Sequence, residues 1–163
     1  MNTSMLSIAL AAAVFTPAWR ESYSDGQQVA LAQKKPLVIV FASGSNAWSK
    51  VIRDQQPSPA VNQLLKDRYV CVFVDTAKAD GKRLAENFAI AGDVGMVISD
   101  RTGSLQAFWH QGDMPSQSVA HYLQKYADPN VVVTGTETTV TPRNSYYQGG
   151  VIPVQRSFST ANC

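Results

Sequence analysis

Residues 36–51 read PLVIVFASGSNAWSKV, and this stretch decides the fold. Pro36–Ala42 is rich in β-branched residues and has no polar interruption, which is typical of a central strand buried on both faces. Small residues follow, and Ser45 or Asn46 is placed to cap a helix over Ala47–Asp54. The stretch therefore predicts a buried strand that runs through a short loop into a helix.

The rest of the chain alternates between helical and strand patterns. A helix and its approach are predicted over Trp19–Lys35, with Ser24 as N-cap and Gln27 at the third helical position. The further predicted elements are a helix from Ser58 to Asp67, a strand over Tyr69–Val74, a helix over Gly81–Ala89, a strand over Gly95–Ser99, a turn over Asp100–Gly103, a strand over Ser104–His110 and a helix over Pro115–Tyr126.

Length and composition restrict the class of protein. A chain of 163 residues suits one domain with a sizeable core. The net charge of +2 and the absence of a basic tract argue against nucleic acid as a partner. The two cysteines, Cys71 and Cys163, form no disulfide framework and no C-x-x-C motif.

The two ends of the chain differ in composition from its middle. Residues 1–18 contain an apolar run, Met5–Phe15, that suits a signal peptide but is shorter than the roughly 20 residues of a membrane span. A docked N-terminal helix is the alternative, because no Lys or Arg precedes the run. We expect a domain over 19–127 and a flexible tail over 128–163, with an edge strand over VVVTGTETTVT at 131–141 as an alternative for its first part. The chain is exported, to the periplasm or the extracellular space, if residues 1–18 are a signal, and cytoplasmic otherwise.

The order of elements resembles the thioredoxin fold over residues 19–126. Three segments carry the resemblance: FASGSNAWSKV at 41–51, VFVD at 72–75 and VGMVISDRTG at 94–103. The resemblance implies an α/β, thioredoxin-like three-layer sandwich, with a central mixed β-sheet flanked by helices.

The catalytic residues of that family have no counterpart in this chain. When Lys50 is placed on the basic residue that commonly follows C-x-x-C, Asn46 and Ser49 take the two cysteine positions, and Gly95 takes the position of the cis-proline. Disulfide exchange needs an attacking thiolate and a second sulfur that resolves the mixed disulfide. A serine hydroxyl forms no disulfide, so the resemblance implies this fold without its redox chemistry.

Other catalytic or metal-binding chemistry is not indicated either. A serine nucleophile needs a positioned base, and His110 and His121 have no fixed spacing to any serine. Two isolated histidines also make a poor metal site. We therefore expect no catalytic residue, no metal and no cofactor.

These observations favour a redox-inactive binding or accessory module whose partner is a protein or peptide. The predicted surface comprises Asn46, Trp48, Ser49 and Gly95, with Trp48 as an exposed anchor; the alternative is that Trp48 turns inward and fills the core. Two other functions stay open. One is a redox protein that uses Cys71 or Cys163 alone, and the other is a structural, envelope-associated protein held through its N-terminal run.

Overall fold

The computed structural model describes residues 16–44, 48–54 and 57–139. In chain order its elements are β1 (Trp19–Arg20), α1 (Tyr23–Gln33), β2 (Leu37–Ala42), α2 (Trp48–Val51), α3 (Pro59–Arg68), β3 (Val70–Asp75), α4 (Ala79–Asn87), β4 (Gly95–Ser99), β5 (Gln106–Gln111), α5 (Ser116–Ala127) and β6 (Glu137–Thr138). From α1 to α5, the helices and strands follow one another in the order that the sequence predicted, and β1 and β6 are added at the two ends.

The strands form one mixed sheet in the order β1-β3-β2-β4-β5-β6. β2 lies in its interior, parallel to β3 and antiparallel to β4, and Val38 pairs with Cys71 on one side and Ile98 on the other. All six residues of β2 are buried. The prediction of a central strand over 36–42 is therefore confirmed.

The side chains of β2 alternate between two separate cores. Val38 and Val40 belong to a core that also contains Leu65 of α3 and Leu123 of α5. The odd-numbered residues of β2 belong to the other core, which includes Ala30 of α1 and Ala85 of α4. Helices thus cover both faces of the mixed sheet, which confirms the predicted three-layer α/β sandwich.

The first helix begins earlier than predicted. Its N-cap is Ser22, whose hydroxyl accepts from the Asp25 N–H at 3.3 Å, so the assignment of Ser24 as cap was wrong. Only two residues separate the end of β1 from the start of α1. The second of them, Ser22, has an extended backbone and precedes the first helical residue. Gly26 lies in this helix. A Cβ added at this position would approach Val72 Cγ2 to 2.2 Å. Close packing of α1 on β3 therefore requires a residue without a side chain there.

The described part of α2 covers only Trp48–Val51, whereas the predicted helix ran to Asp54. The backbone after Val51 pairs with the loop that precedes α5. Met114 N–H donates to Val51 carbonyl oxygen at 2.8 Å, and Arg53 N–H donates to Met114 carbonyl oxygen at 2.9 Å. A tertiary contact, which local sequence does not encode, therefore ends the helix.

The domain extends past Ala127, where the sequence placed the start of a tail. β6 pairs in parallel with β5, and Val131 and Val133 pack against the core. The structure therefore places residues 128–139 on the domain. The predicted signal over 1–18 falls mostly outside the described residues, as do residues 140–163. Within the described ranges, no helix is long and apolar enough to cross a membrane.

Candidate functional site

A polar groove of about 670 Å³ lies where α2 faces the segments before β4 and after β5. Its lining residues are Ser49, Lys50, Ile52, Arg53, Val94 and Asp113. The backbone holds both sides of the groove. Ile52 forms a parallel bridge with Met114, and the N–H of Gly112 donates to the carbonyl oxygen of Val94 at 2.9 Å. The groove therefore lies beside Ser49, which the resemblance places at the second cysteine position of the dithiol.

Two basic side chains at this groove are held by hydrogen bonds. Arg53 Nε donates to Asp113 Oδ2 at 2.9 Å, and this hydrogen bond holds the pKa of Asp113 below its usual value. Lys50 Nζ donates to the carbonyl oxygen of Ser43 and lies 3.2 Å from its hydroxyl. Because the side chains of Arg53 and Asp113 are 62% and 47% exposed, their ion pair contributes little to stability. Both partners remain accessible to a ligand.

The structure separates the residues of the predicted surface. Ser49 is half-buried and lines the groove. Trp48 is half-buried and packs against the core, with its ring centroid 5.3 Å from that of Trp19. Gly95 is buried at the start of β4. Asn46 lies outside the described residues. Of the three described residues, only Ser49 lines the groove.

The buried atom Trp48 Nε1 has no hydrogen-bond partner among the described residues. A buried indole N–H usually finds a partner, because leaving it unpaired costs free energy. The indole ring nevertheless contacts that of Trp19, so that α2 packs against β1. Trp48 therefore supports the groove from the interior side of α2.

Five of the six lining residues were not in the surface predicted from the sequence: Lys50, Ile52, Arg53, Val94 and Asp113. Arg53 follows Ser49 by four positions in the helix that the sequence predicted over 47–54, and that spacing was a usable signal even though α2 ends at Val51 in the structure. Val94 and Asp113 lie in separate loops, and Asp113 is 60 residues from Arg53 along the chain. No local pattern relates residues so far apart, so only the fold brings them together.

Cys71 lies on β3 and is 3% exposed. Its Sγ is 3.8 Å from the carbonyl oxygen of Leu65, and burial raises the pKa of the thiol to about 12, although the charge of Lys35 partly opposes this. Nucleophilic attack requires the thiolate. The geometry of Cys71 therefore weighs against a role in thiol exchange, and Cys163 lies outside the described residues.

The two histidines occupy different environments. His110 is 9% exposed, and burial lowers its pKa despite the opposing effect of Asp113. His121 lies exposed on α5. Among the residues that the structure describes, no group of three or more His, Cys, Asp or Glu side chains is arranged to hold a metal ion.

Solved structures share this arrangement of elements. A thioredoxin from Thermus thermophilus matches with a TM-score of 0.54 and 20% identity, over 67% of this chain and 85% of that one. A DsbH oxidoreductase matches with a TM-score of 0.55 and 14% identity, over 76% of this chain and 93% of that one. No family model and no curated protein matches the sequence. The chain therefore has a thioredoxin-like fold, as its sequence predicted.

Proposed function

We propose that this protein is an exported, redox-inactive thioredoxin-like domain that acts as a binding or accessory module for a protein or peptide. The groove beside α2 carries the proposal. Ser49, which the resemblance places at the second cysteine position, lines it, and the lining consists of aliphatic, hydroxyl and charged side chains with no sulfur. A site of this composition offers hydrogen bonds and charge to a ligand but nothing to oxidise.

The proposed binding surface is the groove itself, and it differs in part from the surface expected from sequence. Ser49 stays in it, and Arg53 and Asp113 join it as exposed charged groups. Trp48 packs against the core and Gly95 is buried in β4, so neither belongs to the proposed surface. Asn46 lies outside the described residues and remains a proposed contact.

The buried position of Cys71 supports the absence of redox activity. Its raised pKa keeps the thiol protonated at neutral pH, and the Sγ atom lies within the core. An insulin-reduction assay with dithiothreitol tests this point. We expect turnover at the uncatalysed rate, with an active thioredoxin as positive control. Turnover that Cys71→Ser abolishes would instead establish the single-cysteine function.

Binding is tested by affinity capture from the exported fraction with wild type and Arg53→Glu. This substitution reverses a charge at the groove and breaks the ion pair with Asp113. Arg83→Glu is the matched control, because Arg83 is an exposed residue of α4, across the sheet from the groove. We expect Arg53→Glu to lose a partner that wild type and Arg83→Glu retain. Equal recovery by all three proteins would refute the groove as the binding surface.

Export is tested separately by cell fractionation and N-terminal sequencing of the mature chain. We expect the mature protein outside the cytoplasm, with an N-terminus close to residue 19. An uncleaved chain that remains with the membrane fraction would favour the structural, envelope-associated alternative.

A further inference from the structure

Residues 131–139, called here the C-terminal strap, cover the outer edge of β5. Within the strap, β6 pairs with the middle of β5 through Glu137 opposite Phe108 and Thr138 opposite Trp109. The hydroxyl of Thr136 donates to the carbonyl oxygen of Gln106 at 2.8 Å. The strap thus occupies part of a sheet edge whose backbone groups would otherwise be open to another strand.

Side chains of α5 hold the strap at Glu137. Tyr126 donates its hydroxyl to Glu137 Oε2 at 2.6 Å, and Lys125 Nζ lies 2.5 Å from the same oxygen. Hydrogen bonds from Lys125 and Tyr126 lower the pKa of Glu137, with a further contribution from the charge of His121. This contact therefore depends on an ionised carboxylate.

His110 of β5 holds the end of the strap. One ring nitrogen, Nδ1, is hydrogen-bonded with the hydroxyl of Thr139, and the other, Nε2, lies 3.2 Å from the carbonyl oxygen of Asp113. A carbonyl oxygen only accepts, so Nε2 carries the proton in the neutral ring, and Nδ1 accepts from Thr139. The neutral imidazole thereby satisfies both neighbours at once.

A second proton on His110 would place a positive charge in an unsuitable environment. Two charged groups act on this ring, Asp113 and Arg53. The carboxylate of Asp113 is already hydrogen-bonded to Arg53, whose positive charge opposes protonation. In β4, the residue paired with His110 is Met96, and in the strap, the residue hydrogen-bonded to His110 is Thr139. Neither of these side chains carries a charge. A buried imidazolium here would gain hydration if the strap moved away.

We propose that the C-terminal strap is a pH-sensitive cover of the β5 edge, released when His110 becomes protonated. The direction follows from linkage. Burial lowers the pKa of His110 in the docked state from its ordinary value of 6.5, so the docked state binds a proton less readily than the released state. The contribution of neutral His110 to docking is therefore present above pH 6.5 and is lost as the pH falls below that value. The ordinary pKa of a glutamate is 4.5. Below pH 4.5, protonation of Glu137 weakens the attachment of the strap to α5 further.

The test is ¹⁵N relaxation of the full chain at pH 7.5 and pH 5.0. At pH 7.5, we expect order parameters of about 0.85 for the amides of residues 136–139, as in rigid backbone. At pH 5.0, we expect them to fall below about 0.6, while the amides of β2 remain rigid. A strap that stays rigid at pH 5.0 would overturn the proposal.

Three variants separate His110 from other causes. His110→Gln should abolish the change between the two pH values, and His121→Gln, the matched control on α5, should retain it. Thr139→Val keeps the β-branched shape but removes the hydroxyl that donates to His110, so its strap should be released at a higher pH than that of wild type. An unchanged transition in His110→Gln, or a transition in Thr139→Val at the same pH as in wild type, would refute the mechanism even if one variant failed to fold.

Discussion

At the scale of single residues, Gly95 shows how closely the start of β4 is packed. A Cβ added there would lie 2.7 Å from Ile90 Cδ1 and 3.0 Å from the carbonyl oxygen of His110. The isoleucine side chain can move, but the carbonyl oxygen belongs to the backbone of the paired strand. Gly95 is therefore required by packing between β4 and β5, whatever its relation to a binding surface.

We predict that Gly95→Ala lowers the free energy of unfolding by about 1–3 kcal/mol, the usual cost of overpacking a core. Urea denaturation measures the effect. Gly92→Ala is the matched control, because its Cβ would meet Gln111 Nε2 at an ordinary 3.5 Å. Equal stability of the two variants would show that β4 and β5 can separate without cost.

Cys71 provides a second prediction at this scale, which concerns alkaline pH. Burial raises the pKa of its thiol from 9.0 to about 12, so the unfolded chain releases this proton before the folded chain does. The contribution of the thiol to stability is therefore present below pH 9 and is lost as the pH rises towards 12, at about 1.4 kcal/mol per pH unit.

The measurement compares wild type with Cys71→Ala by urea denaturation at pH 8, 9.5 and 10.5. Buried tyrosines titrate in both proteins, so their effect cancels when the free energy of unfolding of Cys71→Ala is subtracted from that of wild type. We expect the stability advantage of wild type to shrink above pH 9. An advantage that does not change with pH would mean that the thiol is as accessible in the folded as in the unfolded chain.

At the scale of secondary-structure elements, α5 is capped by a distant residue. The sequence placed Pro115 at the first helical position, but in the structure it is the N-cap and has no capping side chain. Asp54 supplies the missing acceptor, with its Oδ2 at 3.1 Å from the N–H of Ser116, 62 residues away. The segment after α2 thus positions both the groove and the start of α5.

We predict that Asp54→Ala destabilises the protein by about 1 kcal/mol, as the loss of an N-cap usually does. Asp54→Asn should retain most of the stability, since the amide oxygen still accepts from Ser116. Thermal unfolding followed by circular dichroism distinguishes the two variants. If the alanine and asparagine variants melt together with wild type, Asp54 does not cap α5 in solution.

At the scale of the whole molecule, the strap extends the domain beyond its last helix. Val131 and Val133 pack against the core, and β6 completes the sheet. In the sequence, VVVTGTETTVT at 131–141 offered an edge strand as an alternative, but the region was assigned with residues 142–163 to a tail. Its stability in the structure comes from contacts with Tyr126 and with β5, which are formed only after the sheet is assembled.

We predict that a chain ending at Ala127 is less stable than one ending at Thr139 by at least about 1 kcal/mol, the contribution of a single net hydrogen bond. Urea denaturation at pH 7.5 measures the difference. The chain ending at Thr139 serves as the control for loss of residues 140–163. Identical urea midpoints for the two truncated chains would show that the domain ends at residue 127.

The layered fold was predictable because its signals are local. Uninterrupted apolar strands such as 37–42 and the spacing of Val119 and Leu123 indicate buried faces without reference to the rest of the chain. Helix boundaries were less predictable. The end of α2 and the cap of α5 depend on backbone and side-chain partners about 60 residues away. The groove also depends on residues that are distant in the chain, since Arg53 and Asp113 meet only when the segment after α2 lies beside the loop after β5.

The sequence by itself determined the thioredoxin-like layering and the absence of a C-x-x-C pair, because both depend on which residues are present and on their local period. Only the tertiary structure decided which residues line the groove and that the strap covers part of the sheet edge. These features depend on distances between segments that are remote in the chain, and such distances are set by the packing of the sheet and helices rather than by any local pattern.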